Sequence, residues 1–380
     1  MDEVIEMRDF GAEPLGKVKL LYIVPSLDDG GAQRFTIHFL KHLNKSKFNI
    51  TLLLLRAEGE LTHLIPNDIV VIKCHNKRTV FSVFRIVREV WRQRPNIVFT
   101  TLGHLNLIVS IVRLLFPRKT QVVARETNYI SLRNRDERYP KLFDFLFRTS
   151  YRCLDHIICQ SKSMELDLKN SYGLPSHKLT VVYNPVDIDY INGQTNNVKR
   201  DAEKVTFLSV GRLAHQKGYD RILRALKSVN TFDFEYLIVG QGPLRDDIEA
   251  QVKALGLENN VKLIGYTQNP YEYMTKADCL LLGSRYEGLP NVVLEAYACG
   301  TPVIAFDAPG GMNEIIYPGI TGWLVADDDI DGYSELIRSR IYLDLDKEAI
   351  IQIAQSGFNV KKIMREYEAL LETMLYDRVR

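Results

Sequence analysis

The chain is poor in cysteine, in net charge and in long apolar runs, and each shortage excludes something. Its five cysteines are odd in number and include no C-x-x-C. That argues against a disulfide framework and for reduced thiols in cytosolic surroundings. The best candidate for a membrane span, Ile97–Phe116, is interrupted by Gly103, His104, Asn106 and Arg113. It parses as a strand, Ile97–Thr101, a loop, and a helix, Leu105–Phe116. Any meeting with a bilayer would be from the side, through apolar and basic surface together. Met1–Lys17 carries acids and no apolar core, so it reads as a loose N-terminal extension and not as a secretory leader. There is no low-complexity tract and no short repeat. No Lys/Arg-rich run with interleaved aromatics is present, so nucleic acid is not an expected partner. G-x-G-x-x-G is absent, and the dinucleotide fingerprint with it.

What is present is ordinary globular material. The 380 residues, 46% hydrophobic and 25% charged, exceed one ordinary core and suggest two domains. The net charge of +2 hides an asymmetry: residues 1–190 hold 28 Lys and Arg against 20 Asp and Glu, and residues 191–380 hold 21 against 27. The excess concentrates in 71–152, with 17 basic and 5 acidic residues. It is either a solvated face or the footprint of an anionic partner, a membrane surface or a phosphorylated acceptor.

Strands alternate with helices throughout, the pattern of parallel sheets covered on both faces. In the first half, strands are expected at Val18–Val24, Ile50–Leu55, Ile69–Ile72, Ile97–Thr101, Gln121–Ala124, His156–Gln160 and Leu179–Tyr183, with a helix at Gln33–Leu43. Thr79–Arg94 spaces Val80, Phe81, Phe84, Val87 and Trp91 as a helical core stripe, with Arg85, Arg88, Arg92 and Arg94 mostly elsewhere around it. Tyr139–Tyr151 is more apolar than one buried stripe requires, which makes it a candidate membrane-contact helix. The polar run Asp187–Lys204, with Asn192-Gly193 and Asn196-Asn197, marks a hinge. A second α/β series follows from Val205, and Phe358–Tyr376 reads as one long closing helix. The expected division is an extension over 1–17, a first domain over 18–188, a hinge over 189–204, a second domain over 205–357 and a closing helix in 358–380.

The chemistry concentrates between Gly283 and Gly300. The apolar run Ala277–Leu282 has the length of a buried parallel strand. Pro290 sits where a helix should begin, and Gly300 with Pro302 where it should stop. Glu287 therefore falls in a strand-to-helix loop, and Glu295 lies inside the helix near its mouth. Such loops bind ligands in doubly wound sheets, and the helix N-terminus suits a phosphate. Arg212 and Lys217 project from the end of another strand, where a guanidinium and an ammonium can meet the charge that builds on a diphosphate leaving group. Gly30-Gly31 before the first helix lets backbone approach a ligand closely, or makes a plain tight turn.

The block G-R-x-x-x-x-K-G at Gly211–Gly218, V-G-x-G-P at Val239–Pro243 and E-x7-E at Glu287–Glu295 resemble the retaining glycosyltransferases of family 4, of GT-B fold. G-G-x-x-E at Gly310–Glu314, with Asn313 where relatives often have proline, and T-G-W-L-V at Thr321–Val325 extend the match. The resemblance implies two Rossmann-like domains facing across a cleft, with the last helix crossing back to the first. It implies that a nucleotide diphosphate sugar is held mainly by the second domain as substrate, with no cofactor and no metal. Asp187-Ile-Asp189 is a D-x-D, but it lies in the hinge and is assigned no metal. Carried over, Gly31 would approach the donor phosphates, Arg212 and Lys217 would neutralise them, and the backbone of Gly288, Leu289, Pro290 and Asn291 would complete the anion site. Glu287 would bind the sugar and Glu295 the ribose, while Gly265 and Tyr266 would flank the base. His104 would hydrogen-bond the donor sugar. Gly30, Arg125, Glu126 and Asn128 are acceptor-binding candidates, the last three from a segment similar to S-E-R-N-N. The implied reaction moves a hexose or N-acetylhexosamine, from UDP ahead of GDP, to a glycan acceptor, lipid-linked and at a cytoplasmic membrane face. A sugar-nucleotide epimerase of similar fold, or a donor-binding subunit without catalysis, are the alternatives.

Overall fold

The computed structural model describes residues 17–28, 30–74, 82–195 and 204–376. Val80, Phe81, Asn196-Asn197 and almost all of the N-terminal extension lie outside them. The first sheet has seven parallel strands: β1 (Val18–Val24), β2 (Phe48–Leu54), β3 (Val70–Lys73), β4 (Ile97–Thr101), β5 (Gln121–Arg125), β6 (His156–Cys159) and β7 (Leu179–Val181). Their order is β3-β2-β1-β4-β5-β6-β7. The helices between them are α1 (Gly31–His42), α2 (Val83–Gln93), α3 (Gly103–Val112), α4 (Ile130–Arg133), α5 (Pro140–Ser150) and α6 (Lys162–Tyr172), and α7 (Ile188–Thr195) follows the last strand.

The second sheet has six parallel strands: β8 (Val205–Val210), β9 (Phe234–Val239), β10 (Val261–Gly265), β11 (Cys279–Leu282), β12 (Val303–Asp307) and β13 (Gly322–Ala326). Their order is β10-β9-β8-β11-β12-β13. Its helices are α8 (Tyr219–Lys227), α9 (Arg245–Leu255), α10 (Tyr271–Lys276), α11 (Asn291–Ala298), α12 (Met312–Ile315) and α13 (Ile330–Ser339). Two more, α14 (Lys347–Phe358) and α15 (Val360–Tyr376), close the described chain. Both strand orders reverse beside the first strand of the sheet. Such a reversal opens a crevice at the carboxyl ends of the strands, where ligands bind.

The expected closing helix, Phe358–Tyr376, stands as α15, which starts at Val360 because the backbone leaves the helical region at Asn359 (φ −55°, ψ 133°). There Val186 N–H donates to Phe358 O, and Val360 N–H donates to Val186 O. That junction lets α15 turn back and place Val360, Ile363, Met364, Tyr367 and Leu371 among Tyr22 and Phe99 of the first sheet and Phe35 of α1. The polar run read as hinge begins with α7, whose Ile188 and Ile191 join the second domain's core. The stripe of α2 is only partly core: Val87 packs against the core, whereas the stripe's two described rings do not. Phe84 is 79% exposed and Trp91 50%, while Ile86 and Val90 are buried together with Glu89. Glu89 is held by Arg85 and Arg92, so a carboxylate lies inward while two rings and the arginines lie outward on this helix.

Candidate active site

The second-domain residues converge at the carboxyl edge of its sheet. Lys217 ends a single 3₁₀ turn after β8, and its Nζ lies 2.6 Å from Glu287 Oε1. Ser284 Oγ donates to the same oxygen at 2.6 Å. The Glu287 N–H donates to Pro309 O, and the Gly311 N–H to Gly288 O. Gly310 (φ +140°) makes this pairing of loops possible, since a Cβ there would collide with the Glu287 carbonyl. Arg212 is exposed, and its guanidinium is unpaired among the described residues, free to take up an anion.

The α11 N-terminus supplies the second half of the cradle. Pro290 is its cap, not its first residue. Asn291 Nδ2 donates to the carbonyl of Gly31 at 3.2 Å. Gly31 is the first residue of α1 and Gly30 its extended cap, so one helix N-terminus from each domain meets here. Their unpaired N–H groups and partial positive charges favour a phosphate at this point. Leu289 is buried and receives an Asn184 Nδ2 bond on its carbonyl at 3.0 Å. Glu295 lines a small cavity with Arg34, Tyr271 and Asn291. Gly265 (φ +86°) ends β10, and the exposed Tyr266 follows it on the same sheet edge.

The first domain reaches this edge through a short segment. Tyr286 OH donates to Asp136 at 2.9 Å, and His104 Nε2 lies 3.2 Å from Glu137. Adjacent residues thus touch both His104 and the Glu287 loop. His104 is in the first turn of α3, not in a loop. Partial burial, then Arg133, push its imidazole below the ordinary value, against the pull of Glu137. Leu102, just before α3, adopts φ 77° and ψ 120°. A non-glycine residue there stores about 1–3 kcal/mol of strain, and such outliers cluster at functional sites.

Arg125 and Glu126 require the main correction, for each is only 1% exposed. The Arg125 guanidinium lies 3.6 Å over the Phe35 ring. It donates to Tyr367 OH at 3.1 Å and to Asn184 Oδ1 at 2.5 Å. Glu126 Oε1 accepts from Tyr151 OH and from Asn106 Nδ2. Burial pushes the Glu126 carboxyl up, and those bonds oppose the rise. Both residues brace the interior beneath the cleft and do not line it. Asn128 is half-buried in the loop before α4.

Several positioning residues escaped the sequence reading. Arg221 is buried and donates to the carbonyls of Gly283 (2.9 and 2.7 Å) and Ser284 (2.6 Å), fixing the loop that carries Glu287. Its signal was an arginine one turn before Ala225 on the inward face of α8. Glu314, noticed only as part of a motif, accepts from the N–H groups of Lys162 and Ser163 at 2.9 Å. It also accepts from Tyr183 OH at 3.1 Å, so a second-domain carboxylate caps a first-domain helix.

Comparison with known proteins agrees with this fold. The model of the glycosyl transferases group 1 matches residues 193–356, and that of glycosyltransferase family 4 matches residues 29–190. An N-acetylgalactosamine-N,N'-diacetylbacillosaminyl-diphospho-undecaprenol 4-alpha-N-acetylgalactosaminyltransferase of Campylobacter jejuni is 28% identical over 362 residues, 92% of this chain and 98% of its own length. The amylovoran biosynthesis glycosyltransferase AmsD of Erwinia amylovora is 25% identical over 301 residues, 78% of this chain and 83% of its own. The crystal structure of Anabaena HepE in complex with UDP and glucose superposes with a TM-score of 0.78 at 19% identity, over 94% of this chain and 100% of that one. The fold is GT-B. Each half of the chain carries its own share of the match, and the protein belongs to the group 1, family 4 glycosyltransferases.

Proposed function

We propose that the protein is a retaining transferase that moves a hexose or N-acetylhexosamine from a nucleotide diphosphate sugar, UDP ahead of GDP, to a lipid-linked glycan. The product would serve cell-surface polysaccharide or related glycan assembly. The observation that carries the reading is Lys217 paired with Glu287 at strand ends, beside the unpaired Arg212 and two converging helix N-termini. In the reaction, the bond from the anomeric carbon to the diphosphate oxygen breaks and a bond to the acceptor oxygen forms. The acceptor proton passes to a donor phosphate oxygen. Arg212 and Lys217 meet the growing negative charge, which is why no metal is invoked for the transfer. Glu287 holds sugar hydroxyls, Glu295 the ribose diol, and His104 the donor sugar.

The lipid-linked acceptor rests on the Campylobacter relative and on one face of the first domain. Phe84 and Trp91 of α2, Leu114 and Leu115 just after α3, and Leu142 and Phe145 of α5 are all exposed. These three helices are neighbours, and Arg85, Arg88, Arg92 and Arg148 stand among the rings and leucines. Apolar and basic side chains together suit an anionic membrane surface. Among the described residues no helix is long and apolar enough to cross a membrane.

Thermal shift against UDP-, GDP- and ADP-sugars, with EDTA present, is the test. A ligand at about 100 times its Kd should stabilise by about 2.7 kcal/mol. One responding donor then supplies the label for transfer to membrane extracts. Silence across the panel, or hydrolysis and epimerisation without any acceptor product, would remove the reading.

A further inference from the structure

We propose that His38, His42 and Asp187 form a site for a divalent transition-metal ion, of which zinc is the natural probe, where α1 meets the linker helix α7. The two imidazoles stand four residues apart on α1, one turn above the other, the spacing at which helical side chains meet. Asp187 arrives from the segment that joins the two domains. The donor atoms of the three residues lie within 4.8 Å of one another. His42 Nε2 is 3.2 Å from Asp187 Oδ2, and His38 Nδ1 is 3.8 Å from the same oxygen. Around a tetrahedral ion with ligands at about 2.0–2.1 Å, donor atoms stand about 3.3 Å apart, so small side-chain rotations close the set.

A hydrogen bond between His42 and Asp187 would explain two of the three residues without any ion. It does not explain His38, whose Nδ1 is buried and has no hydrogen-bond partner. A buried ring nitrogen left unpaired beside a carboxylate and a second imidazole is what an ion would satisfy. The carboxylate is also oriented for the task. Its Oδ1 accepts from the Tyr190 N–H at 3.1 Å and caps α7, which turns Oδ2 toward the histidines. This is the supporting bond that metal-ligating carboxylates receive. Two imidazoles and one carboxylate select zinc, cobalt or nickel over magnesium or calcium, which prefer oxygen. Arg34 and Lys41 are the nearby cations and oppose the ion; Arg34 is drawn off toward Tyr271, whose hydroxyl it meets at 2.9 Å.

The same small cavity is lined by His38, Asp187, Tyr190, Tyr271 and Glu295. An ion would therefore fasten α1, which begins at Gly31, to the interdomain linker, one cavity away from the donor cradle. This role is separate from the transfer chemistry and does not depend on it.

The test uses the full chain, without a polyhistidine tag, stripped with EDTA and titrated with zinc by calorimetry and with cobalt by visible absorption. One ion per chain is expected, with a cobalt spectrum of a nitrogen–oxygen site of low coordination number. His38→Gln and Asp187→Asn should each weaken binding by at least the roughly 10–100-fold seen when a supporting ligand is lost. His63→Gln, on an exposed turn, should leave binding unchanged. Zinc should raise the melting temperature of the parent chain and not that of the folded His42→Gln variant. No stoichiometric binding, or binding that survives His38→Gln, overturns the site.

Discussion

Both halves of the cleft offer charged residues just past a strand end, yet the structure treats them differently. In the second domain Lys217, Glu287, Gly288 and Asn291 lie where the strand–loop–helix pattern puts them, and Lys217 meets Glu287. In the first domain Arg125 and Glu126, also just past a strand end, turn inward. The difference lies in what surrounds the strand end. After β11 a helix cap and a glycine turn shape the loop, and Glu287, itself only 6% exposed, is held there by Lys217 and Ser284. After β5 the loop is roofed by α3 and by Tyr367 from α15, and the charged pair becomes part of the floor. Glu287 and Arg125 are both buried; Glu287 differs in pairing with the part-exposed Lys217, whereas Arg125 is closed in by Tyr367 and Phe35.

That contrast can be broken or sharpened. Arg212→Ala should cost about 3 kcal/mol or more in kcat/KM, the worth of a preorganised charge at a leaving group. Because Arg212 is exposed, its melting temperature should stay put; a large drop would mean that Arg212 is structural after all. Arg125→Met should do the reverse and lose about 2–4 kcal/mol of stability in urea titration. It removes a desolvated ring stack and takes a donor from the Tyr367 hydroxyl and from Asn184 Oδ1. An Arg125→Met protein of normal stability but dead activity would return that residue to the cleft. Glu295→Ala should weaken donor binding by about 1.5–3 kcal/mol in calorimetry, with kcat affected less than affinity.

The smallest effect concerns pH. The folded carboxyl of Glu126 binds its proton more tightly than the unfolded one, whose pKa is near 4.5. Its contribution is therefore complete below that value and declines as pH rises toward the folded pKa. Glu126→Gln should keep the fold and flatten that decline across a series of urea midpoints. An unchanged slope would show that the group titrates as if in water.

Most strands and the donor loop were legible because they depend on short-range signals: apolar runs, Pro290 at a helix start, glycines at turns. What was not legible depended on distant partners. The α2 stripe fits a core helix equally well in either rotation, and only packing decides that Ile86 and Val90 face inward while Phe84 and Trp91 do not. The start of the closing helix was legible to within two residues, but its pairing of Val360 with Val186 was not, since that bond spans the whole second domain. Arg221 and Glu314 act on backbone groups far away in sequence, a relation no local pattern contains.

The return of α15 to the first sheet has a consequence for the order of synthesis. Tyr367, which Arg125 and Phe35 await, is made only after all of β8–β13. The roughly 180 residues between β7 and α15 take on the order of 10–40 s to translate at about 5–20 residues per second. Throughout that interval the nascent first domain holds a bare apolar groove where Ile363 and Leu371 will sit, and it is then a natural client for a chaperone. Ribosome-bound chains halted before Val360 should show that groove as protease-sensitive, and those released whole should not.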